Sequence, residues 1–450
     1  MQNIDRRKFI GKTAAAGLAV AGAAAMLNSC KKDVSNEALG LPPILRGAPK
    51  GKKLRAGLVG AGARGTGAAI NFISSGPDLE IVALADVFQD KIDACRARFA
   101  SFNLPIPEEN CFAGFDGYKK LMALPDIDVV LLATPPQFRP DHFLEAVQTN
   151  KHVFMEKPVA VDPVGIRSII TSAKKAEAIG LNVVTGTQRR HQEDYIETYK
   201  LIKGGAIGRI TSAKAYWNQD HVWFREREKD WNDMEYMIRN WNNFCWLCGD
   251  HILDTHVHNI DVINWFMGKH PESAIGYGGR HRRVTGDQYD FFSVDFYYGS
   301  GVSSHSMCRQ IDSCANGTGE LIMGTEGYTN CMNTIWDLEG NIKWQFKYPD
   351  DENGNPMNQV KIPPYVQEHM HLVHAIRTGK YVNEAEQTAI STLTAIMGRT
   401  AAYTGRKITW EEIFKSDMDL GPSVIEMGPV AMKFETPVPG TPVLTSESES

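Results

Sequence analysis

Leu54-Arg55-Ala56-Gly57-Leu58-Val59-Gly60-Ala61-Gly62-Ala63-Arg64-Gly65 is the stretch on which the fold turns. An apolar run from Arg55 to Val59 leads straight into three glycines spaced GxGxxG, and Ala63 to Ser74 then takes up helical periodicity. The pattern is weak alone, but between a strand and a helix each glycine has a task. The first permits a tight turn, the second admits a phosphate to the backbone amides, and the third lets helix and strand pack closely. A diphosphate then rests on the positive end of the helix. Asp86 closes the next apolar run, Glu80 to Ala85, where a carboxylate takes ribose hydroxyls and repels a 2′-phosphate. The expected cofactor is therefore NAD, held by Gly60, Gly62, Ala63, Arg64, Gly65 and Asp86.

Outward from this motif, Asp128 to Ala133, Lys151 to Met155 and Leu181 to Thr185 repeat the continuous apolar run, with helical stretches between. Such runs read as strands buried on both faces, and right-handed crossovers between them give a doubly wound parallel sheet. After about Thr187 the pattern alternates instead, at Arg209 to Trp217, Phe291 to Tyr298 and Gly301 to Met307, with hairpin punctuation at Tyr298-Gly299-Ser300-Gly301. The fold class is α/β: a Rossmann domain over 53–187, then a C-terminal α+β domain over 188–415 with an open, mainly antiparallel sheet. That second domain is expected to carry long helices near Asp254 to Phe266, Val366 to Thr378 and Glu384 to Tyr403. Residues 416–450, rich in Pro, Glu and Ser, are expected to form a loosely held tail.

The 450 residues, 43% hydrophobic and 22% charged, suffice for a sizeable core in two domains or one large one. A net charge of -5 without a long basic run argues against nucleic acid or an anionic membrane surface as partner. Residues 1–30 read as a leader rather than as fold: Arg6-Arg7-Lys8-Phe9-Ile10-Gly11-Lys12 is a twin-arginine pattern, and Ala14 to Leu27 are apolar. Leu27-Asn28-Ser29-Cys30 resembles a lipoprotein cleavage box, which would leave Cys30 lipidated; a cut in the Ala-rich segment or an uncleaved anchor is the alternative. Residues 31–52 read as a linker. The expected location is the periplasm or cell envelope, with the membrane touched only through the lipid at Cys30. The other cysteines, including the lone Cys245-Trp246-Leu247-Cys248, have no framework or zinc spacing and read as free thiols.

Ala133-Thr134-Pro135-Pro136 and Met155-Glu156-Lys157-Pro158, both at predicted strand ends, join Gly249-Asp250-His251-Ile252-Leu253-Asp254-Thr255-His256-Val257-His258 in a specific combination. With these motifs the chain from about Leu54 to Trp410 resembles the glucose-fructose oxidoreductase / inositol dehydrogenase / rhizopine-catabolism family (Gfo/Idh/MocA), in its exported bacterial branch. The resemblance adds Thr134, Pro135, Glu156, Lys157 and Gln188 to the expected cofactor contacts. It also implies that Lys157 bonds the reacting oxygen, that His258 is the acid/base and that Asp254 is its partner. This is chemically coherent: taking hydride from a carbinol needs a group for the hydroxyl proton and a cation for the developing alkoxide. Asp254 and His258, four apart, are expected on one face of a helix. A metal held by His251, Asp254 and His258 is the competing reading, disfavoured by Lys157 as a neighbour; no metal is expected.

Trp217, Trp223, Trp231, Trp241, Trp246 and Trp265 crowd one region with Arg225 and Arg239, as a site that stacks sugar faces would. Arg189, Trp217, Arg239, Trp241 and His251 are the expected substrate contacts. Family members are often dimers or tetramers, so a homo-oligomer is expected.

Export sharpens the functional expectation, because free NAD is not available for exchange outside the inner membrane. The cofactor is expected to be tightly held and re-oxidised in place. The first reading is a sugar or glycoside dehydrogenase. The alternative is a redox-neutral glycosidase like the exported α-N-acetylgalactosaminidases of the family, working by oxidation, elimination, hydration and reduction. Those glycosidases carry tyrosine and histidine where this chain has Asp254 and His258, and the aspartate matches the dehydrogenase pattern. A sugar-binding lipoprotein without catalysis is the third reading.

Overall fold

The glycine motif ends β1 (Leu54–Val59), which lies inside a six-stranded parallel sheet in this computed structural model. The structure describes residues 35–351, 353–431 and 434–440. Around β1 stand β2 (Leu79–Asp86), β3 (Cys111–Ala113), β4 (Val129–Leu132), β5 (His152–Met155) and β6 (Val183–Thr185), in the order β3-β2-β1-β4-β5-β6. The order reverses between β1 and β4, and ligands of open α/β sheets bind in the crevice at that point. All of β4 and nearly all of β1 are buried, as strands covered by helices on both faces must be. β3 was not expected, because three residues carry no readable period.

The second sheet has nine strands: β7 (Ile210–Gln219), β8 (Ser273–Gly279), β9 (Phe291–Tyr297), β10 (Ser303–Gln310), β11 (Gly317–Gly324), β12 (Tyr328–Thr329), β13 (Thr334–Trp336), β14 (Ile342–Gln345) and β15 (Ile408–Thr409). Their order is β14-β13-β12-β11-β7-β10-β9-β8-β15, with β7 and β10 parallel and the other neighbours antiparallel. β9 and β10 alternate buried and partly exposed residues, so one face of the sheet packs inward. The helix Ala385–Thr404 covers that face, and Gly398 lets the Phe296 ring lie against its backbone.

Three expectations change, while the leader and Cys30 fall outside the described residues. The helix Pro364–Thr378 is not part of the second layer: Leu372 and Val373 share one apolar core with Phe72, Leu84, Phe154 and Val184. The core of the first layer is thus completed by a segment far away in the chain. The expected helix from Asp254 is broken into His251–Asp254 and Val257–Met267. Its ladder slips where the His256 amide reaches back to the His251 carbonyl, and the His256 ring is pinned to Ser306 Oγ at 2.7 Å. Finally, the described part of the tail is packed, not loose. Leu420, Ile425, Val430 and Phe434 lie against a core of Phe88, Met234, Ile238, Phe244 and Trp246. The apolar residues of the tail are spaced irregularly, so neither helical nor strand period revealed them.

Candidate active site

The N-terminus of the helix Ala63–Ser74 has no side-chain cap; Gly62 occupies that position. Its first amides are therefore left for a ligand. Gly65 lies so close to the turn that a Cβ there would stand 1.8 Å from the Gly60 carbonyl oxygen, and Gly60 itself has φ 94°. At Gly62 an added Cβ would meet no protein atom within 4 Å. That glycine faces a cavity of about 640 Å³ reaching from Arg64 and Thr134, past Pro135 and Asp86, to Tyr118. Asp86 is held by the Ala61 amide at 2.8 Å and the Phe88 amide at 3.0 Å, and burial raises its carboxyl above the ordinary range. Open amides, a fixed carboxylate and a cavity of ligand size fit a dinucleotide.

Lys157 stands where β5 ends, and its ammonium donates to the Asp254 main-chain carbonyl. Burial lowers its pKa. His258 is buried and stacked on Trp217, ring centroids 5.9 Å apart. Burial, then the charges of Lys157 and Arg189, push the His258 imidazole well below its usual value, so it is neutral at neutral pH. Among the described residues no hydrogen bond or ion pair joins the Asp254 and His258 side chains. The break at Thr255–His256 removes the helical register that the pairing assumed. What joins Asp254 to the site is its backbone carbonyl, through Lys157.

Arg64 leaves the glycine loop to pair with Glu156, lies 3.5 Å from Glu368 and sits 4.7 Å from the Tyr365 ring centre. Glu156 fits because Gly186 has no side chain: a Cβ there would stand 2.6 Å from a Glu156 carboxylate oxygen. Glu368, fully buried, was missed. Burial and then the charge of Glu156 push its carboxyl well up, and an acid in an amphipathic helix reads from sequence as solvated. Gln188 is buried, with its side-chain oxygen lacking a hydrogen-bond partner. Thr134 meets His142 Nδ1 at 3.1 Å.

The expected substrate residues part company. Arg189 and Trp217 stay near His258, with Arg189 bonded to Glu320 at 2.5 Å and its guanidinium 5.6 Å from the Trp217 ring. Glu320 was also missed; Tyr195 and Asn259 hold it in the core. Arg239 and Trp241 are elsewhere, lining the dinucleotide cavity beyond Asp86. Arg239 is tied to Asp90 at 3.0 Å and Glu235 at 2.9 Å and lies over Phe88. Clustering in sequence suggests one aromatic site, but Trp223 and Trp241 line the cavity while Trp217, stacked on His258, is not among its lining residues. His251 is turned into the core, bonded to Asp250 at 2.9 Å with its ring against Phe292. The positive φ of Asp250, 73°, aims the helix start that way. Among the described residues, no group of three or more His, Cys, Asp or Glu side chains gathers as a metal would need.

Residues 54–184 match the family described as an oxidoreductase family with an NAD-binding Rossmann fold, and residues 195–329 match the GFO/IDH/MocA C-terminal domain. A glycosyl hydrolase family 109 protein of Shewanella sp. (strain W3-18-1) is 27% identical over 230 residues, which are 50% of this chain and 48% of that protein. The chain thus spans about half the length of the curated relatives it matches. The fold is shared with the aldose-aldose oxidoreductase from Caulobacter crescentus, solved with glycerol (TM-score 0.62, 19% identity, 80% of this chain and 100% of that one). It is shared as well with a levoglucosan dehydrogenase solved with NADH and levoglucosan (TM-score 0.62, 17% identity, 80% and 99%).

Proposed function

Because the chain belongs to the GFO/IDH/MocA oxidoreductase family, we propose that it is an NAD-dependent enzyme acting on a hydroxyl of a sugar or glycoside. The observation that carries the reading is a Lys157 ammonium at the end of β5 whose charge acts on a buried, neutral His258 imidazole, in a chain whose glycine loop and Asp86 line a dinucleotide-sized cavity. Bound NAD supplies the two-electron acceptor and donor. His258, unprotonated, takes the proton of the substrate hydroxyl. Lys157 holds the oxygen as negative charge develops there, fixed in place by the Asp254 carbonyl. Arg189 and Trp217 border the imidazole and offer a guanidinium and an aromatic face to the sugar. Export by the twin-arginine route, a lipid on Cys30 and a homo-oligomer belong to the same proposal, and with them a cofactor that stays bound and is recycled in place. The family 109 relatives favour a second reading, in which oxidation and re-reduction flank loss of an aglycone.

The deciding experiment uses the purified chain with no nicotinamide added. Denaturation should release stoichiometric NAD(H), and a glycoside panel should give a single-turnover rise in reduced-nicotinamide absorbance that a keto-sugar reverses. Bound NAD with free sugar released and no lasting absorbance change would favour the glycosidase. No NAD, and no uptake when it is supplied, would overturn both.

The pH profile of kcat/KM tests the roles. His258 must be neutral, and its pKa is depressed by burial, so the rate should hold below the ordinary histidine value of about 6.5 and fall only well under it. Lys157 must be charged, and its pKa is also depressed, so the alkaline limb should begin below about 10.5. An acid limb centred at about 6.5 would mean that burial does not hold the His258 imidazole neutral, and its persistence in His258→Asn would remove His258 as the base.

A further inference from the structure

We propose that the C-terminal segment Leu420–Val430 is the retaining wall of the dinucleotide cavity, and that its lifting sets how fast the cofactor leaves. The inference rests on reading that cavity as the NAD site. Ile425 is a lining residue of the cavity, on the same wall as Trp223, Ile238 and Trp241. These side chains come from outside the Rossmann sheet and close the end beside Asp86, where the carboxylate marks the adenosine half.

The segment is seated at both ends. At its root, Arg167 Nη1 donates to the Phe414 carbonyl at 2.8 Å and the Ser416 carbonyl at 2.7 Å, and the Leu420 amide donates to Asp162 at 3.1 Å. Beyond Ile425, the Met234 amide donates to the Gly428 carbonyl at 3.1 Å and the Val430 amide donates to Asp233 at 3.2 Å. Farther on, Phe434 meets Phe244 edge to face at 5.4 Å, and Tyr289 Oη donates to the Pro437 carbonyl at 2.8 Å.

The stretch between these anchors has no helix or strand, and Ile425 is only half-buried. Pro422 and Pro429 restrict its unfolded freedom, so holding it against the cavity costs less entropy. A segment tied at its ends and irregular between them opens locally without unfolding the domain. For an enzyme that recycles its cofactor in place, slow release is the property such a wall confers.

Two measurements on the full chain test this. Wild type and Ile425→Ala are loaded with NADH, chased with excess NAD, and followed by loss of NADH fluorescence. The variant should release NADH about tenfold faster, equivalent to about 1.4 kcal/mol, with the empty protein still fully folded at the assay temperature. In wild type, amide hydrogen exchange across Leu420–Val430 should slow when NAD is bound, a readout that does not depend on the variant folding. Release from Ile425→Ala within about twofold of wild type, or exchange unchanged by NAD, would overturn the proposal. A wild type that exchanges NADH within seconds, with the variant still tenfold faster, would keep the wall and remove in-place recycling. No NADH uptake at all would remove wall and function together.

Discussion

Lys157→Met should retain bound NAD while turnover falls by about 10² to 10³, the scale for losing one preorganised donor to a developing oxyanion. Methionine keeps most of the side-chain volume and removes the charge and the bond to the Asp254 carbonyl. That bond contributes only about 1 kcal/mol net to stability, so the fold should persist. The depressed pKa of Lys157 shows that burial works against its charge, and unburying is not needed for Met. The measurement is single-turnover reduction with the cofactor already in place, alongside a melting curve. A rate within a few-fold of wild type would remove Lys157 from the chemistry.

The second large effect separates two glycines of one motif. Gly65→Ala should destabilise the protein by about 3 kcal/mol or more and abolish NAD binding, because the new Cβ falls 1.8 Å from the Gly60 carbonyl oxygen. That oxygen belongs to a backbone already committed at φ 94°, packed against Ala133 and Thr134, and has nowhere to retreat. Gly62→Ala should leave the melting point within about 0.5 kcal/mol equivalent of wild type, since its Cβ meets no protein atom. It should still weaken NAD binding, because the methyl group occupies the cavity. Thermal unfolding and an NAD titration on both variants decide the matter. Equal stability losses would mean that the turn, not the ligand, explains Gly62.

Asp86 was legible because strand and helix each announce themselves within a few residues and the carboxylate follows at the end of the next strand. The place of Lys157 just beyond a strand end was legible for the same reason. His251 and Asp254 were not. Their expected directions came from an unbroken helix, and one tertiary bond, His256 to Ser306, shifts the ladder between Asp254 and His258. Arg239 and Trp241 line the cavity apart from Trp217, because nearness in sequence does not fix where a loop leads.

By itself, the sequence determined the doubly wound sheet, the dinucleotide loop and the residues at its strand ends. These follow from local period and local sterics, which a few consecutive residues carry. Only the tertiary structure decided that Glu368 lies buried near Arg64, that Glu320 anchors Arg189, and that Ile425 walls the cavity. Each of those contacts joins residues hundreds or scores of positions apart. Their energies come from burial and from charge in a low-dielectric interior, neither of which exists until the layers have closed on one another.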